Sequence, residues 1–380
     1  MNKTSTYIYI YVIIMLTNTK LAAQTNINSI ILDSETKNPI ELVTINDKKD
    51  YAVTNKDGRF NFFTKQDSIT IRIIGYETLY DVTSNFISKD TILLKPKPFM
   101  LKEVIISSEN FFDKMAKKVL TDYALLPHKE RFFLRALLKR NNEIQKLIDI
   151  NGLLERKTLY DTDKVPMPKK NYKVLINGLR KAEISSDEYD FEMYDLKGFL
   201  NFIASNKMPP SEFDFEYKTN KDSTYTKVIA IPKSKNNKTK GYYIVDRKSY
   251  NFDEFYANYS NPRADYIEKK NLKYRLTDYT LTVTFQKNPL NGKKQIKQAK
   301  VEQKIEVATN HSTDILNMSY HFIAFPIPNS QEIKNNTKLS KNIFKINGKY
   351  NPQNWNKQET LLITEEIQNF IKKANYKFGF

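Results

Sequence analysis

The chain has no cysteine, 9 glycines, 3 histidines and one tryptophan in 380 residues. Without cysteine there is no disulfide scaffold, thiolate metal site, cysteine nucleophile or lipid-modified N-terminal cysteine. His128, His311 and His321 are the only imidazoles, too few and too scattered for most zinc or triad chemistry. No stretch approaches the roughly 18 uninterrupted apolar residues of a bilayer-spanning helix. Arginine is scarce as well: it supplies 10 of the 61 basic residues, so the net charge of +18 rests on lysine. Lysine is a solvated point charge, whereas bidentate grip on phosphate favours arginine, and nucleic acid is not an expected partner.

Apolar material is plentiful. At 40% hydrophobic and 13% aromatic residues the chain is not disordered, and its length asks for two or three domains. Residues 1–23 read as a cleaved signal peptide: Lys3 near the start, an apolar run from Tyr7 to Leu16, and small residues through Ala23 before Gln24. The expectation is an exported protein, periplasmic or associated with the outer membrane, with peripheral membrane contact.

Between residues 26 and 94, runs of β-formers recur at 27–32, 41–45, 51–54, 59–63, 68–74 and 91–94, separated by turn residues such as Asn55-Lys56-Asp57-Gly58. That spacing predicts a small β-sandwich over residues 24–98. Four ordered motifs lie along it: Asp33 to Ile40, Thr54 to Phe60, Gly75-Tyr76, and Leu101-Lys102-Glu103-Val104. Together they resemble the carboxypeptidase regulatory-like domain of exported Bacteroidetes proteins, with Ser29 standing where that family carries a glycine. The resemblance implies a transthyretin-like, seven-stranded Greek-key sandwich with no catalytic residues of its own.

Residues 99–130 read as a linker strand and helix. Phe112, Met115, Ala116, Val119, Leu120 and Tyr123 recur at spacings of three and four, predicting a helix over 110–126 that Pro127 ends. From residue 131 to 380 the reading is a large antiparallel β domain with a C-terminal helix. Phe132, Leu134, Ala136 and Leu138 alternate onto one face, Arg140 to Glu143 make a turn, and further strands follow at 173–184, 213–218, 224–231, 241–246, 250–259, 274–286, 301–307 and 315–325. A short helix is expected at 195–204 and a longer one at 365–374. The fold class is therefore mainly β with helices, a sandwich followed by one large sheet, and Pro96 and Pro98 place a hinge between residues 95 and 108. An antiparallel sheet with helices on one side is also similar in plan to the periplasmic lipoprotein-carrier fold. Strand 250–259, with Tyr250, Phe252 and Tyr256 on one side and Phe255 and Tyr259 on the other, carries aromatics on both faces. Tyr250, Phe252 and Tyr256, covered by Ile367 and Phe370 of the last helix, are the candidate apolar ligand surface.

No Gly-rich phosphate loop, HExxH, GxSxG or SxxK pattern occurs, so no catalytic residue, cofactor or metal site is assigned. The acid nearest His128 is Glu130, two residues on, a spacing read here as unable to put histidine and carboxylate on one face for zinc. Asp161-Thr162-Asp163 reads as a polar turn. Two lysine-rich stretches, 233–240 and 291–300, read as loop tips between hairpins. The function these features favour is non-enzymatic binding or scaffolding at the periplasmic face of the outer membrane, with an apolar ligand, and with an envelope protein, lipid or glycan as partner. The alternative is a peptide- or glycan-processing hydrolase or its accessory subunit.

Overall fold

The computed structural model describes residues 24–97, 111–162, 164–184, 191, 193–205, 207–219, 224–269, 272–308, 312–348, 355 and 360–378. The leader, the Leu101–Val104 motif and His311 lie outside them. The chain divides into two compact units, one of Met1–Lys97 with Glu359–Thr364, the other of Pro98–Gln358 with Glu365–Phe380.

Among the described residues the first unit has seven strands: β1 (Thr25–Asp33), β2 (Thr44–Asn46), β3 (Tyr51–Val53), β4 (Arg59–Thr64), β5 (Ser68–Arg72), β6 (Leu79–Val82) and β7 (Thr91–Leu94). They form a three-stranded sheet, β4-β1-β7, and a four-stranded sheet, β3-β2-β5-β6, with β1 and β7 parallel. Alternate residues of both sheets, among them Ile27, Ile31, Ile45, Phe60, Ile71 and Ile92, meet in one apolar core. Gly58 takes φ +72° in the turn before β4, where a Cβ would stand 2.5 Å from the Ile31 carbonyl oxygen, so only glycine fits. Asp33 ties two of the sequence motifs together: its carboxylate accepts from the Glu35 and Thr36 amides and from the Tyr76 hydroxyl, each at 2.8 Å. The sequence reading ends this unit at residue 98, but a distant segment also belongs to it. The Val53 amide donates to the Thr360 carbonyl at 3.0 Å, and Leu361, almost fully buried, bridges β3 in parallel. Six residues give no periodicity from which such a return could be read.

The second unit begins with helix α1 (Phe111–Asp122) and runs through β8 (His128–Arg140), β9 (Glu143–Arg156), β10 (Tyr172–Glu183), helix α2 (Leu196–Ala204), β11 (Phe213–Thr219), β12 (Tyr225–Pro232), β13 (Thr239–Asp246), β14 (Phe252–Ser260), β15 (Ile267–Lys269), β16 (Leu272–Lys287), β17 (Lys294–Ala308), β18 (Thr313–Ile327) and helix α3 (Glu365–Phe378). Its strands make one 11-stranded sheet in the order β10-β9-β8-β18-β17-β16-β14-β13-β12-β11, with β15 beside β16. Every pairing in it is antiparallel, and all join chain neighbours except β14 with β16, which passes over the short β15, and β8 with β18, which brings the last strand back beside the first. Asn141 and Asn142 both take positive φ, 50° and 71°, in the β8–β9 hairpin, as a two-residue turn that follows strand twist requires.

One face of this sheet, the inner face, carries the unit's main core. Phe132, Leu134, Ala136 and Leu138 lie on it as the alternation predicts, opposite Ile148 and Ile150 of β9 and beside Tyr320 and Phe322 of β18. Helix α1 covers one end: Phe112 stacks on Phe215 at 4.5 Å, and Phe111 meets the edges of Tyr217 and Tyr250. Helix α2 reaches from β10 over the middle strands, with Phe199 against Tyr320 of β18 at 5.3 Å and Phe202 against Tyr279 of β16 at 5.8 Å. The Asp195 carboxylate caps α2 by accepting from the Gly198 amide. Helix α1 stops short of the expected residue 126 because Tyr123 turns into the core, donating its hydroxyl to the Phe252 carbonyl at 2.7 Å.

The stretch 291–300, read from its lysines as a loop, is mostly strand. Strand β17 starts at Lys294, with Ile296 and Ala299 in the core and a register shift beside Phe285. Five lysines and glutamines around those two apolar positions mask the alternation. The antiparallel path also puts the β12–β13 and β16–β17 turns at opposite ends of the sheet, so the lysine-rich stretches make no single patch.

Candidate functional site

Charged side chains on the inner face stand out against its apolar residues. His128, Glu130 and Arg156 are at most 1% exposed. His128 opens β8 and Arg156 closes β9, directly across from it, with Tyr172 beyond on β10. Glu130 follows in step with His128 and Phe132, because side chains two apart in a strand share a face. The sequence reading denied His128 and Glu130 a common face. The strand begins at His128 itself, so its period of two aligns them.

The Arg156 Nε donates to Glu130 Oε1 at 2.9 Å. The guanidinium carbon lies 5.5 Å from the Tyr172 ring centroid and 5.6 Å from that of Phe322. Arg156 Nη1 and Nη2, Glu130 Oε2 and His128 Nε2 are all buried with no hydrogen-bond partner among the described residues. His128 Nδ1 lies 3.0 Å from the Leu126 carbonyl, which places the proton of a neutral ring there and leaves Nε2 a bare acceptor. Burial holds the His128 pKa below its usual value, with Glu130 pulling the other way. Beside this cluster the Tyr172 hydroxyl donates to Asn201 Oδ1 of α2 at 2.8 Å, fastening the helix over this end of the face.

The opposite, outer face carries a row of paired charges. Lys300, His321, Arg135, Asp149 and Arg180 are successive cross-strand neighbours from β17 to β10. The Arg135 Nε and Nη2 donate to the two Asp149 oxygens at 2.8 and 3.0 Å, and Arg180 donates to Asp149 Oδ2 through Nε at 3.1 Å and through Nη2. Burial alone would raise the Asp149 pKa, but the two guanidinium charges outweigh it and hold the carboxyl below its usual range. Burial, reinforced by Lys300 and Arg135, takes His321 down to about 3. Farther along this face Tyr242 stacks on Tyr256 at 5.0 Å and donates to Glu254 Oε1 at 3.0 Å, with Lys227 Nζ 3.9 Å from the Tyr242 ring centre. Burial pushes the Glu254 carboxyl up to about 7 against the pull of Tyr242 and Lys227.

The five residues predicted to form one apolar surface are divided. Phe252 is buried on the inner face among Tyr123, Tyr243 and Phe285. Tyr250 sits outside the strand at φ 57°, edge-on to Phe111 with Lys114 near its ring. Tyr256 is on the outer face. Phe252 and Phe255 both reach Tyr243 on the inner side despite their odd spacing, because a bulge at Asp253 shifts the register between Ile244 and Val245. Ile367 and Phe370 are buried on α3, apart from the inner-face core; that helix runs beside β10 and pairs Glu366 with Lys139. The helix over the inner face at Arg156 is α2.

Asp161 accepts from the Met167 amide at 2.8 Å in an irregular turn. Among the described residues no three His, Asp or Glu side chains are grouped to hold a metal, and no helix is long and apolar enough to cross a membrane. What the sequence reading missed, Glu130 and Arg156, did leave a signal: a charge at a position in step with core residues.

No family model matches the chain, and no curated protein matches it. Among solved structures, lipovitellin, in a structure titled for lipid–protein interactions, aligns over 63% of this chain with 8% identity and a TM-score of 0.26, so the chain spans 29% of that protein. A LolA-superfamily protein from Nitrosomonas europaea aligns over 59% of this chain and 96% of its own, with 7% identity and a TM-score of 0.21. At these scores neither likeness bears on function.

Proposed function

We propose that the chain is a non-enzymatic, exported cell-envelope protein whose second unit binds an apolar molecule between the inner face of the sheet and helix α2. One observation carries this reading. Strands lie about 4.8 Å apart and a helix is about 10 Å wide, so the path from β10 to β11 is roughly 40 Å across and wider than its helical cover. The cover as a whole is two helices of 12 and 9 residues together with connecting segments that bring Leu159, Tyr160, Phe191, Ile343, Phe344 and Ile346 into the same core. The apolar residues in the middle of the face, Leu281, Val283, Val301 and Val307 among them, are withdrawn from water beneath this mixed cover, part of which is irregular chain. A face of this composition suits an acyl chain or a similar ligand. Export and an envelope partner rest on the apolar leader, and a carboxypeptidase regulatory-like identity for the first unit rests on its motifs.

The test is native mass spectrometry of the full chain after incubation with decanoate, 1-decanoylglycerol and an N-decanoyl peptide. A saturable one-to-one adduct with any of them is the expected result. A bare mass at every concentration would overturn the reading and leave a scaffold.

A further inference from the structure

The unused hydrogen-bonding groups around Arg156 describe the ligand's polar end. A guanidinium offers five N–H groups, and here only Nε–H is taken, by Glu130. The four N–H groups of Nη1 and Nη2 lack acceptors among the described residues, while Glu130 Oε2 and His128 Nε2 lack donors. Leaving so many polar atoms unmatched in a buried site is strongly unfavourable, so a partner that both accepts and donates fits the cluster. Charge narrows the choice. Arg156 and Glu130 already cancel, and a carboxylate or phosphate would carry an uncompensated negative charge out of water. A hydroxyl beside an ester or amide carbonyl supplies both kinds of partner at no charge.

Resting on the apolar-ligand reading above, we propose that Arg156, Glu130 and His128 form a head-group site that selects an uncharged, hydroxylated acyl ligand, typified by a monoacylglycerol, over a free fatty acid. The Nη groups hold the ester and hydroxyl oxygens, and Glu130 Oε2 and His128 Nε2 receive the hydroxyl protons. The acyl chain leaves past Phe132 and Phe322 along the inner face.

The experiment is displacement of a fluorescent acyl probe from the full chain by 1-decanoylglycerol and by decanoate, on the native protein and on Glu130→Gln. The native protein should release the probe at an ester concentration at least about tenfold below that of the acid. Glu130→Gln removes the compensating charge and leaves Arg156 ready for a carboxylate, so the preference should shrink by about tenfold or invert. Equal competition by both ligands on the native protein, unmoved by the substitution, would mean that only buried water meets these groups; it would overturn the head-group site and leave the apolar reading standing. If the probe never binds, the apolar reading fails and this inference with it. The native selectivity needs no variant, so a Glu130→Gln chain that does not fold leaves the first comparison decisive.

Discussion

Two arginine sites lie on opposite faces of the same strands, and they are built differently. On the outer face Asp149 is gripped by Arg135 and Arg180, with charges and hydrogen-bonding atoms matched by neighbouring strands. On the inner face Arg156 and Glu130 share a single hydrogen bond, and Arg156 Nη1 and Nη2 and Glu130 Oε2 are buried with no partner among the described residues. A network with its partners in place fixes register and contributes stability. One left half-matched costs stability and is better explained by a ligand than by folding.

The largest expected effect is on the outer face. Asp149→Asn leaves two guanidinium groups without their counter-charge and should cost about 3–5 kcal/mol, read from urea unfolding. The inner pair should behave in the opposite way when both members are removed: Glu130→Leu with Arg156→Met should stay within about 1 kcal/mol of the native stability while ligand binding is lost. A double variant as unstable as Asp149→Asn would erase the contrast and make Arg156 a structural residue.

Titration sharpens the same comparison. The folded pKa of His128 lies below its usual 6.5 and that of His321 is about 3, so as pH falls through 6.5 the unfolded chain takes up protons first and stability falls. Asp149, also lowered in the fold, adds its loss only below about pH 4, where the unfolded carboxyl protonates. Glu254 has the opposite sign. Its folded carboxyl, near 7, is protonated while the unfolded one, near 4.5, is ionised, so between those values it adds stability as pH falls. Glu254→Gln should therefore steepen the loss of stability between about pH 6.5 and 4.5, seen as melting temperature against pH. Parallel curves for the two proteins would refute the opposing roles. The smallest effect is Tyr172→Phe, which removes the bond to Asn201 and should cost about 0.5–1.5 kcal/mol in thermal unfolding.

Much of the fold was legible from period alone. The alternation of Phe132 to Leu138, the turn at Asn141-Asn142 and the helix ending at Ala204 carry strong local signals, and each lies where its spacing puts it. What escaped depends on register. Glu130 and Arg156 are 26 residues apart and meet only through the β8–β9 pairing. The bulge at Asp253 separates Tyr256 from Phe252, and no composition rule announces a bulge. Lysines around Ile296 and Ala299 hid the start of β17, and the short segment that returns to β3 has no period to read.

The contrast between the two arginine sites can be measured on the arginines themselves. With 10 arginines in the chain, selective isotope labelling gives a tractable guanidinium NMR spectrum of the full protein. On addition of 1-decanoylglycerol the Arg156 signals should shift and their Nη protons should become protected from exchange, while the Arg135 and Arg180 signals stay in place. Arg156 signals that do not move, or movement of all three together, would contradict the account.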